Sequence, residues 1–175
     1  MNKIIPEKIE TERLLLKLIS LDYKEDIFKE FSPEITVYMS PRPAESIQET
    51  INFINTSTKE ILEGKNLQVV ILNKETNEFL GCGGLHNLDT KTPELGIWIK
   101  KSAHGHGYGV EAMNAVKNWA DKNIDYEYIV YPVVDKNISS RKIPESMGGK
   151  IEREYEETTG LGQKVNMLEY RIYPQ

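Results

Sequence analysis

The chain has 175 residues and a mass of 20.1 kDa, which suits one domain over residues 1–175 and does not require a second. Its 39% hydrophobic and 28% charged residues are typical of a globular protein, and no apolar run is long enough to span a membrane. The net charge of −5 argues against nucleic-acid binding through phosphate attraction, and a single cysteine, Cys82, excludes an internal disulfide framework.

The first half of the chain predicts one strand, two helices and a hairpin. A Leu-rich run predicts a strand within Thr11–Ile19, and the next apolar face predicts a helix over Tyr23–Phe31 that ends before Pro33. Isoleucines at nearly helical spacing predict a long helix between Ile47 and Leu62. Two apolar runs around a polar turn then predict an antiparallel hairpin, Leu67–Leu72 with Phe79–Leu85.

The second half alternates strands with helices. Period-two alternation predicts a strand over Glu94–Ile99, in which Glu94 and Trp98 share a face. The later elements, in chain order, are a helix over Val110–Lys122, a strand over Tyr128–Val134, a helix over Asn137–Met147, and closing strands over Lys150–Glu156 and Met167–Tyr173. This order predicts a mixed α/β fold with helices on both faces of one sheet.

The most informative segment is a glycine-rich loop between a strand and a helix, His104–Gly109. Such a loop aims several backbone N–H groups and the positive end of a helix dipole at one point, which favours phosphate. Glycines at 105, 107 and 109 allow close approach to the anion, although glycine also marks ordinary turns. The spacing matches neither a P-loop nor the dinucleotide-binding fingerprint.

The loop resembles the pyrophosphate loop of the GNAT superfamily of acyl-CoA-dependent N-acetyltransferases, Gln/Arg-x-x-Gly-x-Gly/Ala, with His104 in place of Gln or Arg. Three further blocks resemble the branch that includes ribosomal-protein N-terminal and spermidine acetyltransferases. They are Thr11–Leu14, Glu94–Ile99 and Asn137–Gly148, and all occur in the family's order.

The resemblance implies a mostly antiparallel central sheet and an acetyl-CoA cosubstrate. One cysteine and three histidines argue against a metal site. The resemblance assigns cofactor binding to Ile97, Trp98, Ile99, His104, Gly105, His106, Gly107, Tyr108, Gly109, Asn137 and Ser140. A backbone N–H group near Ile97–Ile99 would stabilise the oxyanion, and the Ser140 hydroxyl would assist the leaving thiolate. Asn137 and Ser140 are also ordinary helix-capping residues.

The acceptor implied by the resemblance is a primary amine, which needs a base because lysine-type amines hold their proton up to about pH 10. Glu94 is the first candidate base and His86 the second; both residue types also occur as surface or satisfied polar groups. A protein N-terminus follows from the branch. A polyamine or other small amine follows equally from the charge of residues 1–90, which carry 10 basic and 15 acidic residues.

The sequence leaves two other functions open. Because His104 replaces the usual Gln or Arg, a CoA-binding sensor or partner module without turnover is one alternative. A phosphate-binding α/β protein outside the family is the other. Met1–Glu10 lacks the apolar stretch of a secretory signal, so we expect a cytoplasmic protein with no membrane partner, and a homodimer is possible.

Overall fold

A computed structural model describes residues 5–175, so the first four residues of the predicted domain lie outside the described part. The strands are β1 (Lys8–Glu10), β2 (Leu14–Leu18), β3 (Asn66–Asn73), β4 (Phe79–His86), β5 (Glu94–Ile99), β6 (Ile129–Val134), β7 (Lys150–Thr158) and β8 (Lys164–Ile172). The α-helices are α1 (Lys24–Glu30), α2 (Pro33–Thr36), α3 (Ile47–Leu62), α4 (Tyr108–Asn123) and α5 (Ile138–Ser146).

The eight strands form one sheet in the order β1-β2-β3-β4-β5-β6-β8-β7. Every neighbouring pair is antiparallel except β5 and β6, which run parallel. This arrangement confirms the predicted mixed α/β class with a mostly antiparallel sheet.

Helices cover both faces of the sheet, as predicted. Val69 and Ile71 of β3 pack with α4 and α5 in the larger core, whereas Val70 and Leu72 pack with α1 and α3 in a smaller one. Strand side chains alternate between faces, so a strand covered on both sides is apolar at every position. The face under α1 and α3 is the one that carries Trp98.

The predicted first strand is two strands in the structure. The chain turns at Thr11, whose hydroxyl accepts the Leu14 N–H at 2.9 Å, and β1 then pairs with β2 as a hairpin. Pro33 does not simply end a helix, because Ser32 caps a new short helix, α2, with Pro33 in its first turn.

In the described part of the chain, no helix is both long and apolar enough to cross a bilayer.

Candidate active site

Strands β5 and β6 diverge after a single pair, Glu94 with Val130. The Lys100 N–H donates to the Leu80 carbonyl at 2.8 Å, and this bond fixes the alternation of hydrogen bonds along β5. The N–H groups of Trp98 and Gly96 therefore face β4, whereas those of Ile97 and Ile99 face the gap beside β6. Beyond the Glu94–Val130 pair, the gap leaves them without a partner strand.

A cavity of about 560 Å³ opens along this gap. All the predicted cofactor-binding residues except His106 line it: Ile97, Trp98, Ile99, His104, Gly105, Gly107, Tyr108, Gly109, Asn137 and Ser140. They come from β5, the glycine-rich loop, the start of α4 and the start of α5. The structure thus brings three sequence blocks to one cavity, whereas the Thr11–Leu14 block contributes indirectly.

The glycine-rich loop has the backbone shape that its sequence indicated. Gly105 and Gly107 have φ of 83° and 76°, in the left-handed region that favours glycine, and Gly107 precedes the first turn of α4. At Gly109 a Cβ would lie 3.2 Å from Ile143 Cδ1 and 3.7 Å from Ile97 Cδ1, so a side chain there would crowd the cavity. The free N–H groups at the start of α4 fit a phosphate group.

His104 has a definite partner although it departs from the family pattern. Its Nε2–H donates to the Ile99 carbonyl at 2.7 Å. This bond ties the loop back to the end of β5. The sequence alone suggested a polar group facing the anion, and could not reveal a backbone acceptor five residues upstream.

Arg13 and Glu111 tie the turn before β2 to the first turn of α4, a role that was not predicted. Glu111 Oε1 lies 2.7 Å from Arg13 Nε, and Glu111 Oε2 accepts from the Thr11 hydroxyl at 2.5 Å. Burial acts to raise the pKa of Glu111, but these hydrogen bonds outweigh it and hold that pKa below its usual value. Arg13 also lies over the ring of Tyr108, 4.7 Å from its centroid, and Tyr108 stacks on His106. The family resemblance of the Thr11–Leu14 block was the one sign in the sequence that this segment lies near the site.

Ser140 and Asn137 meet at the start of α5. The Ser140 hydroxyl shares a 2.7 Å hydrogen bond with the Tyr131 hydroxyl, and the Asn137 side chain accepts the Ser140 N–H as a helix cap. Burial raises the pKa of Tyr131 to about 12, although the bond to Ser140 acts to lower it. Tyr131 is therefore a protonated hydroxyl held behind Ser140.

A second cavity, of about 520 Å³, lies on the opposite face of β5 under α1 and α3. Three residues line both cavities: Met39, Ile97 and Trp98. The two cavities therefore adjoin at β5. For the roles that we propose below, we call the first the cofactor cavity and the second the acceptor cavity.

His86 lines the acceptor cavity in a fixed tautomer. Asn66 donates through Nδ2 to Glu60 at 3.0 Å, so its Oδ1 accepts the Nδ1–H of His86 at 2.7 Å. This chain leaves His86 Nε2 as the unprotonated nitrogen. Desolvation lowers the pKa of His86 despite the nearby Glu60 charge, so the imidazole is neutral at pH 7.

Glu94 pairs with His86 across the sheet and projects from the same face, but it borders neither cavity. Burial raises the pKa of Glu94, and the charges of Glu157 and Glu169 raise it further. Glu157 belongs to the acidic segment of β7, which is largely solvent-exposed. Glu94 is therefore outside the acceptor cavity but directly beside His86, which lines it.

Cys82 lies beneath the acceptor cavity and is fully buried at 1% exposure. Burial raises the pKa of its thiol, which keeps it protonated and unreactive at neutral pH. Among residues 5–175, no cluster of three or more His, Cys, Asp or Glu side chains has the arrangement of a metal site.

A family model described as the acetyltransferase (GNAT) domain matches residues 13–150. The chain belongs to the GNAT acetyltransferase family. It is an acyltransferase that uses acetyl-CoA, as the resemblance implied.

Two bacterial relatives share this assignment. Uncharacterized N-acetyltransferase p20 of Bacillus licheniformis is 27% identical over 160 residues, covering 88% of this chain and 90% of that protein. Uncharacterized N-acetyltransferase YoaA of Bacillus subtilis is 28% identical over 165 residues, covering 91% and 93%.

Solved structures share the fold. The ribosomal-protein alpha-N-acetyltransferase RimL superposes with a TM-score of 0.81 at 16% identity, covering 98% of this chain and 94% of its own. A GNAT-family acetyltransferase from Bacillus anthracis gives 0.79 at 20%, covering 95% and 98%. The microcin self-immunity acetyltransferase MccE, solved with acetyl-CoA and AMP, gives 0.80 at 19%, covering 93% of each chain.

Proposed function

We propose that the protein transfers the acetyl group of acetyl-CoA directly to a primary amine that enters the acceptor cavity. The observation that carries the proposal is the junction of the two cavities at Ile97 and Trp98. One cavity has a loop suited to pyrophosphate, and the other has a neutral imidazole with a free nitrogen.

The cofactor cavity fits the cosubstrate. The N–H groups of α4 and its preceding loop would hold the pyrophosphate, with Gly105 and Gly107 supplying the turn. The pantetheine arm would lie along the diverging edge of β5, where the Ile97 and Ile99 N–H groups face the gap. Acetyl-CoA supplies the thioester carbonyl that the amine attacks.

His86 takes a proton from the incoming ammonium group through Nε2, directly or through water, which frees the nitrogen lone pair. The amine nitrogen then bonds to the thioester carbon, and the Ile97 or Ile99 N–H group stabilises the oxyanion. The C–S bond breaks as the intermediate collapses, one of the two protons still on nitrogen passes to sulfur, and the other stays as the amide N–H. The products are an amide, CoA thiol and one proton held by His86.

Ser140 supplies the proton path to sulfur. Its hydroxyl lies in the cofactor cavity and is backed by Tyr131, whose raised pKa keeps it a donor. The Ser140 hydroxyl gives its proton to the thiolate and takes up the proton that leaves the nitrogen, so it is unchanged after the transfer. Asn137 fixes the start of α5 and so holds Ser140 in place.

Glu94 is the second candidate for the base. Its raised pKa makes it a better proton acceptor than an exposed carboxylate, and it neighbours His86 on the sheet. His86 is favoured because its side chain lines the acceptor cavity and its free nitrogen is the acceptor. Glu94 would act through His86 or through water.

The test is calorimetric titration with acetyl-CoA, followed by thiol release and product mass spectrometry over a panel of amines and peptide N-termini. We expect binding, and thiol release that depends on the amine and gives an acetylated product. Binding without acetylation of any amine would show a CoA-binding module instead. The absence of binding would overturn the proposal entirely.

A further inference from the structure

We infer that the acceptor cavity selects a small primary amine whose body is apolar and carries no second charge. The inference rests on the proposed acetyl transfer and names its substrate class. A polyamine acceptor, which the acidic charge of residues 1–90 also allowed, is disfavoured by this inference.

The charged groups at the acceptor cavity neutralise each other. Arg42 and Glu49 are the charged lining residues, and Glu49 accepts from Arg42 Nη1 at 3.3 Å and from Nη2 at 3.2 Å. Glu49 also accepts the Glu45 N–H at 3.0 Å, and Arg42 donates to the Pro43 carbonyl at 2.9 Å. The Arg42 and Glu49 side chains are 46% and 41% exposed, so a second ammonium group would have to compete with Arg42 for a carboxylate that is already paired at the solvent-exposed edge of the cavity.

The walls are apolar and rich in aromatic rings. Phe31 and Trp98 pack with ring centroids 5.1 Å apart, and Ile27, Met39 and Phe53 complete the apolar lining. Such a surface favours alkyl or aryl groups over peptide amides, whose N–H and C=O groups would lose hydrogen bonds to water.

Polar groups are concentrated on the floor of the acceptor cavity. Gln68 and Gly96 both line it, and the glycine at 96 leaves room beside His86, whose Nε2 would lie 3.5 Å from a Cβ at that position. Gln68 is only 5% exposed, yet no hydrogen bond within residues 5–175 uses its side-chain amide. Within residues 5–175 no side-chain nitrogen or oxygen is both fully buried and unpaired, so the Gln68 amide reaches the open space of the cavity, where a ligand can pair with it. With His86 Nε2 near Gly96, the floor has two polar groups for one amine.

The outer wall is held in place by the turn between β7 and β8. The Gly160 N–H donates to the Met39 carbonyl at 3.2 Å, and a Cβ at Gly160 would lie 2.5 Å from Arg42 N and from Ser40 O. This contact fixes the 39–42 segment that closes one side of the cavity. One side of the cavity is thus held in place by packed backbone, and the volume of about 520 Å³ suits a small molecule.

The test compares hexylamine with 1,6-diaminohexane, which have the same chain length and differ by the terminal ammonium group. We expect hexylamine and 2-phenylethylamine to be acetylated, with kcat/KM for the diamine lower by about 5-fold. Equal use of the diamine, or acetylation of peptide N-termini alone, would overturn the substrate class while leaving acetyl transfer intact. Failure to bind acetyl-CoA would instead identify a failure of the proposed function.

A substitution at the mouth sharpens the test. Phe53 lines the acceptor cavity and is 46% exposed, so Phe53→Glu places a carboxylate where the far end of the acceptor would lie without disturbing a packed core. We expect it to raise kcat/KM for the diamine and lower that for hexylamine. Phe28→Glu, on an exposed aromatic of α1 outside the cavity, is the matched control and should change neither. An unchanged preference in Phe53→Glu would contradict the inference.

Discussion

The two cavities that meet at β5 are built from different materials. The cofactor cavity depends largely on backbone: a glycine-rich loop with two left-handed residues, the first turn of α4 and the unpaired edge of β5. The acceptor cavity depends on side chains from α1, α3, β3, β4 and β5, which lie far apart in the sequence. A backbone site is suited to a constant cosubstrate, whereas a side-chain site can be changed to suit another acceptor without altering the fold.

The largest expected effect is on the backbone site. Gly107→Glu introduces a Cβ at φ of 76° and a carboxylate at the loop that we assign to pyrophosphate, so we expect acetyl-CoA affinity to fall by at least ~1,000-fold. Calorimetry measures this loss.

Gly64→Glu is the matched control for Gly107→Glu. Gly64 has a similar φ of 71° at the end of α3, with no atom within 4 Å of its Cβ position, so it shares the backbone strain but not the site. If both variants lost affinity equally, strain and not phosphate recognition would account for the result.

The next effect concerns the leaving group. Ser140→Ala removes the hydroxyl that faces the cofactor cavity, and we expect kcat to fall by about 100-fold while the Kd for acetyl-CoA stays nearly constant. Ser140→Thr, which keeps a hydroxyl, should retain much of the rate. An equal loss in kcat and affinity would show that Ser140 only positions the cosubstrate.

A smaller effect is expected on the acceptor side. In Gly96→Ala the new Cβ would lie 3.5 Å from His86 Nε2, an ordinary contact that leaves the strand intact but fills part of the floor. We expect KM for the amine to rise by about 10-fold, with acetyl-CoA affinity unchanged. A change in acetyl-CoA affinity instead would mean that the two cavities are not separate binding sites.

The smallest effect is on stability. The pKa of His86 is lowered from 6.5, so between that lowered value and 6.5 the unfolded chain binds more protons than the folded one. Its contribution to the free energy of unfolding is present above pH 6.5 and lost as pH falls through the lowered pKa. We would measure the free energy of unfolding by chemical denaturation at several pH values across this range. Its slope against pH should be smaller in His86→Gln than in the unsubstituted protein. An unchanged slope would indicate that His86 is not held neutral by burial.

The fold and the cofactor cavity could be predicted to a large extent because their signals are local. Alternation marked β5, and three glycines within five residues marked the loop, which needs little from distant side chains. The boundary at Thr11 was missed because the turn depends on a hydroxyl and on Glu111, which is 100 residues away. The partner of His104 was missed for a different reason: the Ile99 carbonyl is only five residues upstream, but no local pattern marks a backbone acceptor for a histidine.

The acceptor cavity could not be predicted because its residues come together only in the folded chain. Asn66 and His86 are 20 residues apart, and their hydrogen bond sets the tautomer of the imidazole. Gln68 has no local pattern that distinguishes it from any polar strand residue. From the sequence we ranked Glu94 before His86 as the base, and our proposal reverses that order because His86 is the one that lines the acceptor cavity.

The most direct test of the division between the cavities is to measure kcat and acetyl-CoA Kd for His86→Gln and Glu94→Gln side by side. We expect His86→Gln to lose about 100-fold in kcat with unchanged Kd, and Glu94→Gln to lose much less. A full rate in His86→Gln with a large loss in Glu94→Gln would contradict the assignment of the base and transfer that role to Glu94.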